Sequence, residues 1–165
     1  MLKIAVVDDE KVYIDQIQEY IRQYSAEKKR EIQTETFCDG SALLENYSPR
    51  FDIILLDIEM GKLNGMETAR EIRKKDQDVV LVFITNMAQY AINGYDVGAL
   101  DYVLKPINYY TFSVRLDRAV SRVKKRQPEE ILLNLPDGIK RLKVDRIHYV
   151  EVQNRMLHYH TEDGI

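Results

Sequence analysis

Four short apolar runs, at residues 4–7, 53–56, 79–84 and 100–104, set the tightest limit on what this chain can fold into. They are rich in Val, Ile and Leu and too short for helices. Continuous apolar runs of this length suit strands buried on both faces, as in parallel sheets. A further segment, Ile32-Gln33-Thr34-Glu35-Thr36-Phe37, alternates apolar and polar residues and reads as an edge strand.

Helical patterns lie between these runs. Ile14, Ile17 and Ile21 recur at three and four residues and place one apolar stripe on a first helix. Ser41 is placed to cap a short helix through Leu43 and Leu44. Asn64, with Glu67 three residues on, predicts a capping box opening a helix over 65–75. Residues 87–96 read as a shorter helix. Asn108 is placed to cap the last one, with Phe112, Leu116, Ala119 and Val123 on its buried face. Lys124-Lys125-Arg126 sits at that helix's C-terminus, where cations complement the dipole. The β-α alternation, five times over residues 1–126, predicts a doubly wound parallel α/β sheet. The functional site of such a sheet lies at the carboxyl ends of its strands. After Gln127-Pro128 the texture changes. Segments 131–135, 139–144, 147–152 and 156–161, with a Pro136-Asp137-Gly138 turn, read as short strands of an all-β C-terminal segment.

Composition closes off other classes. The net charge of −3 does not advertise nucleic acid, and Cys38, the single cysteine, allows no intrachain disulfide, as befits a reducing cytosol. No stretch approaches the ~18 apolar residues of a membrane helix. The expected location is cytoplasmic, without a membrane partner.

The strand ends carry the chemistry. The first run ends in Asp8-Asp9-Glu10, the third strand in Asp57 followed by Glu59, the fourth in Thr85-Asn86 and the fifth in Lys105-Pro106. Singly, each has an ordinary explanation as a cap, a turn former or a solvated surface group. Jointly they occupy the same place in a repeated β-α unit, so carboxylates, a hydroxyl and an ammonium converge on one rim. Clustered carboxylates repel, and a hard divalent ion relieves the repulsion. A carboxylate is also a nucleophile able to form an aspartyl phosphate. Phosphoryl transfer asks mainly for positioning and positive charge, here from Mg²⁺ and Lys105, with a hydrogen bond from Thr85.

VVDDE at 6–10, IILLDIEM at 53–60, FITN at 83–86 and ALDYVLKPI at 99–107 resemble, in order and spacing, the CheY-like receiver domains of two-component response regulators. The resemblance covers residues 1–122 and implies a flavodoxin-like (βα)5 fold. It implies that Asp57 accepts a phosphoryl group from a sensor histidine kinase, and that Mg²⁺ is held by Asp8, Asp9, Asp57 and the Glu59 backbone carbonyl. It further implies that Lys105 pairs with the phosphoryl oxygens, that Thr85 and Tyr102 move as switch residues, and that the Lys105–Pro106 bond is cis. The change would be transmitted through the 87–125 face, which is also a candidate homodimer surface. The chain would not be an enzyme beyond assisting its own phosphorylation and dephosphorylation. Asn86 and Glu59 depart from the commonest family pattern and bear on the lifetime of the phosphorylated state.

The segment ITNMAQYAINGYDVGALDYVLKP resembles the receivers that precede LytTR-type DNA-binding domains, and LPDGIKRLKVDRIHYVEVQNRMLHYHTEDG resembles the opening of such a domain. On this reading 123–129 is a linker, and 130–165 is the N-terminal part of an incomplete LytTR-type domain, whether cut or natively short. From residue 128 to 165 there are five Lys or Arg against seven acids, so DNA binding by this segment alone is expected to be weak or absent. Gln153-Asn154-Arg155 reads as a plain hairpin turn, and His148, His158 and His160 as a half-exposed β face. Open strand edges at Tyr149, Val150 and Val152 leave the tail frayed or paired with a neighbour's tail.

Two alternatives remain: a receiver acting only through protein contacts, and a phosphotransferase of the haloacid-dehalogenase kind. The second would place its nucleophile after the first strand, with another Asp two residues on, whereas here the D-x-E follows the third strand. A nucleotide or flavin module would need a Gly-rich phosphate loop where Asp8-Asp9-Glu10 stands.

Overall fold

A computed structural model describes residues 1–91, 96–124, 130–136 and 138–162. The chain divides into two compact units, Met1–Val123 and Lys124–Ile165.

The first unit alternates strand and helix: β1 (Leu2–Val7), α1 (Lys11–Lys28), β2 (Ile32–Phe37), α2 (Gly40–Leu44), β3 (Ile53–Leu56), α3 (Gly65–Lys75), β4 (Val80–Thr85), β5 (Asp101–Leu104) and α4 (Tyr109–Lys124). The five strands are parallel and ordered β2-β1-β3-β4-β5. Chain order reverses beside β1, which puts the switch point of the sheet at the carboxyl ends of β1 and β3. Both sheet faces are covered, so β3 and β4 bury every residue. On one face Ile4, Val6, Ile53, Leu55, Val82 and Ile84 pack under Ile17 and Ile21 of α1 and Phe112 and Leu116 of α4. On the other, Ala5, Val7, Ile54, Leu56, Leu81 and Phe83 meet Leu43, Met66, Ala69 and Ile72 of α2 and α3. Each such Ile or Leu side chain contributes roughly 2 kcal/mol of transfer free energy. β2 keeps its alternating pattern because only β1 pairs with it.

The capping box at Asn64 and Glu67 is present. Asn108 accepts from the Thr111 amide at 2.8 Å, as its position before α4 predicts. The cap of α2 differs from expectation. Asp39, not Ser41, takes the role: its carboxylate accepts from the Ala42 amide at 2.7 Å. The extended backbone of Asp39 aims that carboxylate into the first turn, while Ser41 already lies inside the helix. In the segment read as a helix over 87–96, Ala88–Ala91 forms a single 3₁₀ turn and 92–95 lie outside the described residues.

Two aspartates hold the amino-terminal rim of the sheet. Asp52 accepts from the Lys3 amide at 2.8 Å. Asp76 accepts from the Asp78 and Val79 amides, both at 3.0 Å, and from the Tyr47 hydroxyl at 2.9 Å.

The second unit holds two antiparallel hairpins, β6 (Glu130–Leu135) with β7 (Gly138–Lys143), and β8 (Ile147–Gln153) with β9 (Met156–Thr161). Of the expected turn at 136–138, Asp137 lies outside the described residues, as do 125–129 of the expected linker. Asn154 and Arg155 both have positive φ, 52° and 65°, the paired left-handed residues of a two-residue hairpin turn. On the β8–β9 hairpin His160 stacks on Tyr149 with centroids 4.2 Å apart and bonds Glu151 at 2.8 Å, so its ring is already engaged.

Candidate functional site

The parallel ladder delivers the acids to one rim. Past the end of β1, the Asp8 amide donates to Phe37 O of β2. Past the end of β3, the Asp57 amide donates to Val7 O. Asp8 and Asp57 are thereby fixed on neighbouring strands, and both are buried. The Glu10 amide donates to Asp8 Oδ1 at 2.9 Å, and the Glu59 amide to Asp57 Oδ1 at 3.2 Å. The second bond folds the loop that carries the Glu59 carbonyl back toward Asp57. Gly65 allows that loop to close: a Cβ there would fall 2.0 Å from the Asp57 carbonyl oxygen.

Lys105 brings the strand ends together. Its side chain is fully buried, with Nζ 2.8 Å from Asp8 Oδ2, 3.1 Å from Asp57 Oδ2 and 3.8 Å from Glu10 Oε1. Its amide donates to Thr85 O at 3.0 Å, tying the ends of β4 and β5, and the Lys105–Pro106 peptide is cis. Thr85 is buried and its Oγ1 accepts from the Met87 amide at 3.2 Å.

Charge is not balanced here. Burial pushes the Asp8 carboxyl above its ordinary value, against the pull of Lys105 and the Glu10 amide, while the Asp57 charge adds to the rise. Burial alone would lower the Lys105 ammonium, but its bonds and charge interactions with Asp8 and Asp57 outweigh this and raise it. The two shifts differ in origin: desolvation lifts Asp8, whereas the carboxylates around Lys105 hold the ammonium charged. Asp8 Oδ2 meets the Lys105 ammonium as a buried ion pair at 2.8 Å. Carboxylate oxygens of Asp8, Asp9 and Glu10 lie within 4.8 Å of one another. This all-oxygen, negatively charged donor set fits a hard divalent cation.

Tyr102 reaches the same neighbourhood from β5. Burial and then the charge of Asp57 push its phenol up to about 12. Its hydroxyl is buried and, among the described residues, finds no hydrogen-bond partner.

The sequence-read residues Asp8, Asp57 and Lys105 are in direct contact, and Asp9 stands beside them. Glu10, noticed as part of D-D-E but given no role, contributes a carboxylate to the cluster and to Lys105. Tyr13, which no motif marks, lies with its ring centroid 3.8 Å from Lys105 Nζ.

The response regulator receiver domain family matches residues 4–117. The sensory transduction protein LytT of Bacillus cereus is 35% identical over 79% of this chain and 50% of its own length. The transcriptional regulatory protein BtsR of Escherichia coli is 26% identical over 87% of the chain and 56% of its own. The chain thus spans about half the length of the curated relatives it matches. Among solved structures, the non-phosphorylated HemR receiver domain of Leptospira biflexa superposes with a TM-score of 0.65 at 27% identity, covering 73% of this chain and 95% of that one. The BeF3-activated DrrB receiver domain gives 0.63 at 28%, covering 73% and 98%. A matched profile over most of the first unit, on a five-stranded parallel sheet with acids at its carboxyl rim, places this chain in the response regulator receiver domain family.

Proposed function

We propose that the chain is the receiver of a two-component transcriptional regulator and that Asp57 is its phosphoryl acceptor. The observation that carries this is the Lys105 ammonium held between Asp57 and Asp8 on the carboxyl rim. In the transfer, an Asp57 carboxylate oxygen attacks the phosphorus of a phosphohistidine on a sensor histidine kinase. The P–N bond breaks, the imidazole leaves, and an acyl phosphate forms on Asp57. Asp8, Asp9, Asp57 and the Glu59 carbonyl would hold Mg²⁺, which supplies positive charge for the phosphoryl oxygens. Lys105, already charged and desolvated, follows the new charge from carboxylate to phosphoryl oxygen. Thr85 contributes its hydroxyl proton as a donor while its oxygen accepts from the Met87 amide. The Tyr102 hydroxyl, without a partner among the described residues, gains by rotating to any acceptor, which suits a switch residue. The chain's chemistry is confined to its own phosphorylation and dephosphorylation.

The output reading rests on likeness to LytT and on the two hairpins that follow the receiver. Residues 1–122 form the receiver, 123–129 the linker, and 130–165 the opening part of a LytTR-type domain, which in complete form binds DNA. The 87–125 face carries the signal and serves as the homodimer surface. Among the described residues no helix is long and apolar enough to cross a membrane, and the proposed site of action is the cytoplasm.

The test is a beryllofluoride titration with Mg²⁺, read by amide NMR on the native chain and on Asp57→Ala. Large shifts at Asp9, Thr85, Tyr102 and Lys105 in the native chain alone are expected. No shifts in either protein would return the rim to the phosphotransferase alternative.

A further inference from the structure

The first turns of α1 present a polar-aromatic face to the loop that carries Lys105. Tyr13, Gln16 and Tyr20 are spaced three and four residues apart and therefore share one side of the helix. The Tyr13 ring centroid is 3.8 Å from Lys105 Nζ. Two residues beyond that lysine, the Ile107 carbonyl accepts from Gln16 Nε2 at 3.4 Å and from the Tyr20 hydroxyl at 3.2 Å. Tyr20 is braced in turn by Tyr109, edge-on at 5.5 Å, and by Phe112 at 5.6 Å. One helix face thus grips both the backbone after Lys105 and the ammonium itself.

We propose that Tyr13 is a positioning residue for Lys105, its ring face holding the buried ammonium at the rim in reach of Asp57. A cation over an aromatic face within about 6 Å is attracted by the ring quadrupole, most strongly when desolvated. Lys105 meets that condition, since its side chain is fully buried. Among the described residues the other partners of the ammonium are carboxylates, from Asp8, Glu10 and Asp57. Carboxylates are the groups that change partners when a cation binds or a phosphoryl group arrives. The neutral ring is the partner that keeps its claim through both events. A lysine stem has four rotatable carbons and lacks the pre-organisation of a guanidinium, so a fixed contact limits where the charge can wander. The consequence for phosphoryl transfer rests on the reading of Asp57 as acceptor; the contact itself does not.

Two measurements separate these. Lys105 ε-methylene protons in the metal-free native chain should be shifted upfield by the ring current. The shift should persist in Tyr13→Phe and vanish in Tyr13→Leu. Phosphorylation by acetyl phosphate with Mg²⁺ should slow about thirtyfold in Tyr13→Leu, the size of a desolvated cation–π contact. Tyr13→Phe should restore the native rate to within about twofold, because the quadrupole survives loss of the hydroxyl. In a Lys105→Met background, Tyr13→Leu should have no further effect. Absence of the ring-current shift in a folded native chain overturns the contact. Equal losses for Phe and Leu, or a Leu effect that persists without Lys105, overturns the positioning role. A present shift with no phosphorylation of the native chain overturns the acceptor reading and leaves the contact standing.

Discussion

Gly65 lies so close to Asp57 that a Cβ on the glycine would fall 2.0 Å from the aspartate's carbonyl oxygen and 2.7 Å from Ile58 Cα. Both neighbours are backbone, so neither can swing aside. Gly65→Ala should therefore shift the loop after β3 and destabilise the chain by about 1–3 kcal/mol, as overpacking does. Urea denaturation measures the loss. The same variant should respond less to beryllofluoride, because the displaced loop includes the Glu59 carbonyl.

Lys105→Met removes the ammonium that pairs with both buried rim carboxylates. Breaking a buried pair by removing one partner costs about 3–5 kcal/mol. The loss should be largest at neutral pH without Mg²⁺ and should shrink when millimolar Mg²⁺ is added. The sign with pH follows from Asp8, whose carboxyl already sits above its unfolded value. Its protonated form favours the fold, so the variant regains stability as pH falls and loses it as pH rises. A defect independent of both Mg²⁺ and pH would mean that Lys105 acts through packing alone.

Tyr102→Phe deletes a buried hydroxyl that has no partner among the described residues. Leaving such a group unsatisfied costs about 1–3 kcal/mol. The variant should thus be as stable as the native chain or more stable by roughly 1 kcal/mol, a reversal of the usual sign for a core substitution. Its beryllofluoride-induced amide shifts should no longer extend beyond the rim. Destabilisation on denaturation would show that the hydroxyl has a partner after all.

Two phenols report on global unfolding. Tyr24 donates to Asp117 at 2.6 Å and Tyr47 to Asp76 at 2.9 Å. Burial first, and then the adjacent carboxylate, raises both phenols well above the ordinary value. A folded pKa above the unfolded one gives stability that is complete below about pH 10 and is lost as pH rises beyond it. Spectrophotometric titration should show these phenols ionising late and together with loss of structure. In Tyr47→Phe the Asp76 carboxylate keeps its two backbone donors but loses the third, costing about 1–2 kcal/mol.

The strand ends were legible because repetition reveals them: once residues 4–7 and 53–56 are read as parallel neighbours, Asp8 and Asp57 must meet at one edge. The helix caps at Asn64 and Asn108 were legible for the same local reason. Asp39 was not, because Asp39 and Ser41 are both capping residue types, and only the extended backbone at Asp39 decides between them. Tyr13 and Glu10 carry no pattern of their own. Their closeness to Lys105 depends on side-chain directions at the start of α1, which spacing alone does not encode. The orphaned Tyr102 hydroxyl is likewise a property of its surroundings.

Aspartate stands at both ends of this sheet and does opposite work there. At the amino end Asp52 and Asp76 accept from main-chain amides and, at Asp76, from the Tyr47 hydroxyl. At the carboxyl end Asp8 and Asp57 accept one main-chain amide each, and their other oxygens share a single buried ammonium. The sheet therefore behaves as a polarised body, electrostatically settled at one end and kept under tension at the other. Changes at the amino end should therefore be read in stability, whereas even a single added charge at the other would alter what the molecule can hold.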